Sequence, residues 1–213
     1  MVFTPSRPSS SSEDFRDLLE ASYHNSNLVH LGPGSSVPLL KNSIWLVVRG
    51  MVKLSAISVH GDEVMVGLVG PGEPFGDPLS QVEAYEALTL AETDLLCLSC
   101  EVIARDQVLS VGLLKSMAQR YRQSEALLAL LGLRRIEDRV RGFLEMLATS
   151  YGQPCDQGLR LPIKLTHQDI ASALSTTRVT VTRILGSLRD EGWLSIDAGR
   201  SLVVGFLPSR KER

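Results

Sequence analysis

Two arginines lie near the start of a helix that the sequence predicts between Thr177 and about Glu191. Arg178 and Arg183 belong to the run Arg-Val-Thr-Val-Thr-Arg, and helical spacing places Val181 on the opposite, inward side. An exposed arginine can donate two hydrogen bonds to the O6 and N7 atoms of guanine in the major groove of DNA. The residue types and their placement therefore indicate DNA recognition rather than a merely solvated helix face.

A shorter helix precedes this one and is predicted from its cap. Thr166 stands before an apolar-periodic stretch, and Asp169 lies three residues later, as in a capping box with Asp in place of Glu. The pair Ser175-Thr176 breaks this helix, and Thr177 can cap the next one. Two short helices joined by a tight turn, the second with exposed arginines, are typical of a helix-turn-helix.

Charge is distributed unevenly along the 213 residues. Residues 159–213 carry nine Lys/Arg and five Asp/Glu, whereas the other residues carry thirteen Lys/Arg and nineteen Asp/Glu. A basic final quarter on an acidic body predicts two domains, the second facing an anion such as DNA. Hydrophobic residues at 44% exclude wholesale disorder, and no apolar run is long enough for a membrane span. Three cysteines and the absence of a signal-like N-terminus favour the cytoplasm.

The remaining segments have distinct patterns. Residues 1–12 are rich in Ser and Pro and predict a disordered tail. Residues 13–107 contain short apolar runs separated by glycine turns, which predict a small antiparallel barrel or sandwich. Within residues 136–213 we also predict a helix at 136–151, a loop at 153–160, and a β-wing formed by strands at 193–196 and 202–204.

A long helix is predicted over residues 108–135, which contain no proline. Its apolar seam recurs at alternating spacings of three and four, a period of 3.5 residues that is typical of a coiled coil. The seam residues are Leu114, Met117, Tyr121, Ser124, Leu128 and Leu131. We therefore predict that the helix forms a homodimer, with packing of the helix on its own barrel as the alternative.

Several stretches together resemble one known family. Residues 166–171 and 177–185 are similar to the winged helix-turn-helix of the cyclic-AMP receptor/fumarate-nitrate regulator (CRP/FNR) family, and their Arg-Val-Thr-Val-Thr-Arg core especially to the cyanobacterial global nitrogen regulator. Residues 45–50 and 72–77 resemble that family's cyclic-nucleotide-binding β-roll. The resemblance covers about residues 28–206. It implies an α+β fold with an N-terminal β-roll (a jelly roll), a long dimerisation helix and a C-terminal winged helix-turn-helix.

The resemblance implies a sequence-specific transcription regulator and the residues that meet DNA. Arg178 and Arg183 are expected to read bases, while Val179 replaces the glutamate of the cyclic-AMP receptor and offers apolar contact to a thymine methyl. A GTA-like half-site is therefore expected. Phosphate contacts, which position without specifying, are expected from Thr166, Gln168, Thr177, Thr180 and Thr182. The implied partners are double-stranded DNA, a second copy of the chain and RNA polymerase.

Two positions depart from the family pattern. Ser175 occupies the turn position where the family usually has glycine at positive φ. We therefore predict that serine fits this turn of the helix-turn-helix slightly less well than glycine. The candidate effector pocket lacks the family's Arg-Ser pair, and no arginine occurs between Lys53 and Arg105. By the same alignment, the nitrogen regulator's arginine for 2-oxoglutarate falls on Glu83. The pocket candidates are Phe75, Gly76, Asp77, Pro78, Leu79, Ser80, Glu83 and Tyr85.

We therefore expect neither cyclic AMP nor 2-oxoglutarate to bind in the usual manner, and no cofactor. A dianion could still reach the long helix at Arg122, Arg134 or Arg135. The alternatives are an unidentified small effector and control by thiol redox state. Cys97 and Cys100 have the spacing of metal ligands, but their place at the end of an apolar strand predicts buried cysteines and no metal site.

Two other classes of function are less well supported by the sequence. The motifs GxSxG and HExxH and a Walker loop are absent, so we do not expect an enzyme. A pure interaction module would not require two arginines on an exposed helix face. Loss of specific DNA binding after substitution of Arg178 and Arg183 discriminates that class from a regulator.

Overall fold

The computed structural model describes residues 28–205, so the predicted tail at 1–12 lies outside the described residues. Contacts divide the chain into two compact units, one ending at Ser124 and the other beginning at Glu125. The first unit contains strands β1 Val29–Leu31, β2 Ser43–Arg49, β3 Val52–Ile57, β4 Glu63–Val69, β5 Pro74–Phe75, β6 Tyr85–Thr89 and β7 Thr93–Ser99, and helix α1 Cys100–Arg105. Helix α2, Gln107–Leu131, begins in this unit and ends in the next.

The strands form two antiparallel sheets, in the orders β1-β7-β2-β5 and β4-β3-β6. Residues 44–48 of strand β2 are apolar, and the first four of them are buried although successive side chains point to opposite faces of the sheet. Trp45 and Val47 join the core that also contains Leu54 of β3, while Ile44 and Leu46 pack in a second cluster with Leu109 and Leu113 of α2. The N-terminal unit is thus the small all-β domain that the glycine-broken apolar runs predict.

The second unit contains helix α3 Ile136–Tyr151, strands β8 Gln153–Cys155 and β9 Gly158–Arg160, helices α4 His167–Ala173 and α5 Arg178–Asp190, and strands β10 Leu194–Ile196 and β11 Leu202–Gly205. Helix α3 has the predicted limits. The prediction of a loop at 153–160 is wrong, because β8 and β9 form a hairpin that extends the wing into a sheet of order β10-β11-β9-β8. Leu159 of β9 pairs with Val204 of β11, so strand β11 of the wing is the partner against which β9 forms.

Helix α3 holds the recognition module in place through Arg141. Its guanidinium lies 4.7 Å from the centroid of the Trp193 ring, and its Nη2 atom lies 2.6 Å from a carboxylate oxygen of Glu191. A guanidinium stacked on an aromatic face and paired with a carboxylate restrains both groups. The end of α5 and the start of the wing are therefore fixed to α3. Across residues 28–205, no helix has the length and apolar character that a membrane span requires.

Both helices of the helix-turn-helix are capped as the sequence predicts. Thr166 and Asp169 form a capping box at the start of α4, and the Thr177 hydroxyl accepts a hydrogen bond from the backbone N–H of Thr180 at the start of α5. Between the helices Ser175 has φ 50°, in the left-handed region, and the N–H of Thr176 donates to the Ala171 carbonyl at 3.1 Å. This turn is a Schellman-type ending in which glycine is usual.

Replacing Ser175 by Gly should stabilise the protein, because glycine has no Cβ to strain at positive φ. Glycine also raises the conformational entropy of the unfolded chain, which lowers stability, but the relief of strain is the larger effect. We therefore expect a gain of about 0.5–1 kcal/mol in the free energy of unfolding. Urea unfolding measures it. Ser175→Ala is the matched control, since it removes the hydroxyl and keeps the Cβ. Equal stability of the Gly and Ala variants would contradict the strain.

Candidate nucleic-acid interface

Helix α5 exposes one side of its first two turns and buries the other. Arg178 and Arg183 are exposed, and Val179 has 79% of its surface accessible, which is unusual for an aliphatic side chain. Val181 and Ile184 are buried on the inward side, where Leu185 and Leu188 join them. The amphipathic pattern therefore presents two cations and one apolar side chain together on an accessible surface.

The hydroxyl groups of this module are largely engaged within it. The Thr166 hydroxyl donates to Oδ2 of Asp169 at 2.6 Å and accepts from the Asp169 N–H at 3.0 Å. The Thr182 hydroxyl donates to the Arg178 carbonyl at 2.8 Å. Because a hydroxyl has one proton, neither group has a proton left for a phosphate oxygen in this conformation.

The hydroxyl groups of Thr177 and Thr180 form a hydrogen bond with each other. The Oγ1 atoms of Thr177 and Thr180 lie 2.9 Å apart, so one hydroxyl donates to the other and one proton of the pair is left. Gln168 is exposed on α4, and its amide has donors for an anion. Among the expected phosphate contacts, Gln168 and the Thr177–Thr180 pair thus retain donors.

His167, the first residue of α4, joins the two helices of the module. Its Nδ1 atom lies 2.7 Å from Oγ1 of Thr182 on α5. The sequence analysis assigned His167 no role. Its only signal was its position beside the capping threonine, and the partner fifteen residues later depends on how the helices cross.

The expected effector-pocket residues separate in the structure. Phe75 is buried in the core of the roll, and the half-buried Tyr85 packs against that core. Pro78 and Leu79 instead line an apolar cavity of about 300 Å³ beside α1 and α2. Gly76, two residues before Pro78, is buried. Asp77 and Glu83 are exposed and Ser80 is half-buried, so repulsion of a phosphate by Glu83 would be screened by water.

An arginine does reach the roll, and it comes from helix α2. Arg120 donates from Nη1 to the Leu68 carbonyl at 2.8 Å and to the Gln123 side-chain oxygen at 2.7 Å. A Cβ on Gly67 would lie 2.9 Å from the same nitrogen, so a side chain at this position would require the guanidinium to shift. Burial raises the pKa of Tyr85 to about 12, and the Arg120 cation partly offsets the rise, which shows that the two groups are neighbours.

Of the three arginines that the sequence analysis placed on the long helix as contacts for a dianion, Arg122 lies on α2, whereas Arg134 and Arg135 lie beyond its end at Leu131. Those three side chains are exposed to solvent, and Arg120 is the one that enters the roll. The sequence signal that could have indicated it is Gly67, because glycine inside a strand often marks a close approach by another group.

The predicted seam of α2 is accessible within one chain. The exposed fractions are 67% for Leu114, 41% for Met117, 66% for Tyr121 and 71% for Leu128. Ser124 is exposed as well, and Leu131 is half-buried. Different leucines of the helix, namely Leu109, Leu113, Leu127 and Leu130, are buried on its own chain. The seam side chains therefore remain largely accessible, while Leu109 and Leu113 of the same helix pack on the barrel, as the alternative expected.

Cys97 and Cys100 are both exposed, so the prediction of buried strand cysteines is wrong. The physical reason is that β1 pairs with β7 only as far as Leu95, and Cys97 lies beyond that cover. Three residue steps from the strand to the first residue of α1 span about 10 Å. A disulfide needs Cα atoms within about 7 Å, so a bond between these cysteines would require the end of β7 to rearrange.

Comparison with known proteins gives consistent matches. A profile of the Crp-like helix-turn-helix domain matches residues 138–205. The regulatory protein CysR of Synechococcus elongatus is 33% identical over 179 residues, which are 83% of this chain and 82% of that protein. The global nitrogen regulator of a Nostoc species is 33% identical over 163 residues, which are 72% of this chain and 73% of that protein.

The fold has solved counterparts. A cyclic nucleotide-binding domain containing protein from Listeria monocytogenes superposes with a TM-score of 0.73 at 17% identity, covering 92% of this chain and 98% of the other. That likeness concerns the fold alone. The sequence matches show that the chain belongs to the CRP/FNR family of DNA-binding transcription regulators. The resemblance found in the sequence is confirmed, and so is the α+β fold class.

Proposed function

We propose that the chain is a homodimeric, sequence-specific regulator whose two α5 helices read the half-sites of a pseudo-palindrome. In this proposal residues 13–107 form a sensor-like domain, residues 108–135 form the dimerisation helix and residues 136–213 form the DNA-binding domain. RNA polymerase is the expected protein partner. The observation that carries the proposal is the accessible face at the start of α5, where Arg178, Val179 and Arg183 project from a capped helix.

Base recognition follows from the chemistry of these three side chains. Each arginine matches the paired acceptors of guanine, and Val179, lacking hydrogen-bonding groups, suits the methyl group of thymine. A half-site of GTA type combines these preferences. Selection of bound sites from random DNA by the purified, ligand-free protein tests this, with two such half-sites about 34 Å apart expected.

Alanine at Arg178 or Arg183 should weaken binding to the selected site by about 1–3 kcal/mol each, because a bidentate contact to guanine is lost. Binding to random DNA should change much less. Arg189→Ala is the matched control, since Arg189 is an exposed arginine in the last turn of the same helix. Anisotropy titrations measure all three variants. Equal losses on selected and random DNA would mean that the two arginines contact only phosphates.

The proposed dimer rests on the seam of α2. Four large apolar side chains are accessible on one helix at coiled-coil spacing, and buried leucines on the neighbouring face of that helix already pack within the chain. A second copy of the same helix presents a complementary apolar surface. Ser124 interrupts the stripe, and its hydroxyl donates to the Arg120 carbonyl at 3.1 Å, so it needs no partner across the seam.

Leu128→Glu should convert the dimer into monomers, because it would bury a charge without a partner. Sedimentation equilibrium measures the change, and DNA affinity should fall with it. Ala129→Glu is the control, since Ala129 is exposed next to the seam but outside its spacing. A monomeric wild type, or a dimer unaffected by Leu128→Glu, would refute the proposed interface.

We further propose that DNA binding does not require cyclic AMP or 2-oxoglutarate. The guanidinium that enters the roll is already bonded to the chain's own Leu68 carbonyl and Gln123 amide, so an incoming anion must displace both. A ligand shifts an equilibrium only by its differential affinity for two states. The alternative is an unidentified effector, and the apolar cavity lined by Pro78, Leu79 and Met117 would favour an apolar one.

Isothermal titration of the purified protein with cyclic AMP, cyclic GMP and 2-oxoglutarate should show millimolar binding or weaker. Anisotropy measured with and without each compound should give the same DNA affinity. If one of them binds at micromolar concentration and tightens DNA binding, the pocket accepts that ligand and the proposal fails. An Arg120→Ala variant would then show whether the guanidinium holds it.

A further inference from the structure

The hydrogen bond between His167 and Thr182 fixes where the imidazole proton must be. Thr182 donates its single hydroxyl proton to the Arg178 carbonyl, so its oxygen can only accept from the Nδ1 atom of His167. Nδ1 therefore carries a hydrogen. In a neutral imidazole the other nitrogen, Nε2, is then an acceptor without a proton.

A DNA phosphate oxygen is also only an acceptor. A neutral His167 held by Thr182 would direct a lone pair at a phosphate, which gives no bond, whereas an imidazolium has an N–H at both nitrogens. His167 is half-buried and precedes the exposed Gln168. Since the Thr166 and Thr182 hydroxyl protons are engaged, His167 is the group of this cluster that could gain a donor.

We propose that His167 takes up a proton when the protein binds DNA and donates Nε2–H to a backbone phosphate. Nδ1–H remains bonded to Thr182 and keeps α4 in register with α5. The proton comes from solvent, one for each subunit, and no covalent bond changes apart from the new N–H. This inference rests on the proposed DNA-binding function and adds a proton-linked contact to it.

The charged groups around His167 explain why the proton belongs to the complex. On the α4 side, Lys164 precedes the helix, and the Asp169 carboxylate accepts from the N–H and the hydroxyl of Thr166. On the α5 side the charged residues are Arg178 and Arg183, and both are exposed cations. A DNA phosphate brings negative charge to this surface as it binds, and a nearby negative charge favours the charged form of an imidazole in the complex.

Anisotropy titrations on the selected site between about pH 6 and pH 8.5 test the proposal, since a histidine imidazole ordinarily titrates in this range. The wild type should lose affinity as pH rises, approaching about tenfold per pH unit for each subunit. His167→Gln should bind weakly with little dependence on pH. His167→Arg should bind tightly at every pH, because the guanidinium keeps its charge.

His60→Gln is the matched control, since His60 is an exposed histidine of the N-terminal unit, and it should follow the wild type. At the low end of the range His167→Gln should also reduce the salt dependence of binding by about one counterion per subunit. Titration calorimetry in buffers of different ionisation enthalpy counts the protons directly. Circular dichroism of each variant establishes that it is folded.

A wild-type pH dependence that persists in His167→Gln would overturn the inference, and so would a His167→Arg variant as weak as His167→Gln. Either result leaves specific DNA binding itself intact. A wild type that binds selected and random DNA equally at every pH would instead refute the proposed function. The two failures are therefore distinguishable in one set of titrations.

Discussion

A hydroxyl group has one proton to donate, and the helix-turn-helix uses most of its hydroxyl protons to hold itself together. Thr166 donates to the buried Asp169, Thr182 donates back along α5, and Thr177 shares a proton with Thr180. The oxygens of Thr166 and Thr177 also accept from the N–H groups of Asp169 and Thr180, which satisfies a donor in the first turn of each helix. A phosphate, which only accepts, must then be met mainly by cations, amides and backbone N–H groups. Affinity that depends on such groups is sensitive to salt.

Local signals explain why the recognition module could be predicted from sequence. Caps act over three residues, and helical periodicity identifies the buried side, so the limits of α4 and α5 and the inward position of Val181 follow from the sequence. The left-handed conformation of Ser175 was expected from the resemblance, because the family usually has glycine at this turn position. The hairpin β8–β9 was missed, since Gln-Pro-Cys and Gly-Leu-Arg have no alternating pattern and become strands only by pairing with β11.

Long-range contacts explain what the sequence analysis missed in the roll. Arg120 lies outside residues 53–105, and its approach to the roll depends on the packing of α2 against β4, which the local sequence does not indicate. The exposure of Cys97 depends likewise on where β1 stops covering β7. Gly67 and Arg120 are close neighbours, and a side chain at position 67 would require the guanidinium to shift. The proposed ligand independence therefore depends on residues that are far apart in sequence.

The energy needed for specific DNA recognition indicates why the seam and the arginines belong together. A good bidentate contact discriminates by about 1–3 kcal/mol, so the proposed base contacts of Arg178 and Arg183 would supply about 2–6 kcal/mol in one subunit. Specific sites are favoured over random DNA by about 4–10 kcal/mol, which one subunit reaches only at its upper limit. Two subunits double the discrimination if both α5 helices engage one duplex. In the proposed dimer the accessible seam of α2 would supply the association, because fully burying an apolar side chain contributes about 1.5–3 kcal/mol and each chain offers four that are partly exposed. That gain must exceed a loss of about 4–15 kcal/mol in translational and rotational freedom, so several side chains of each chain must be buried together.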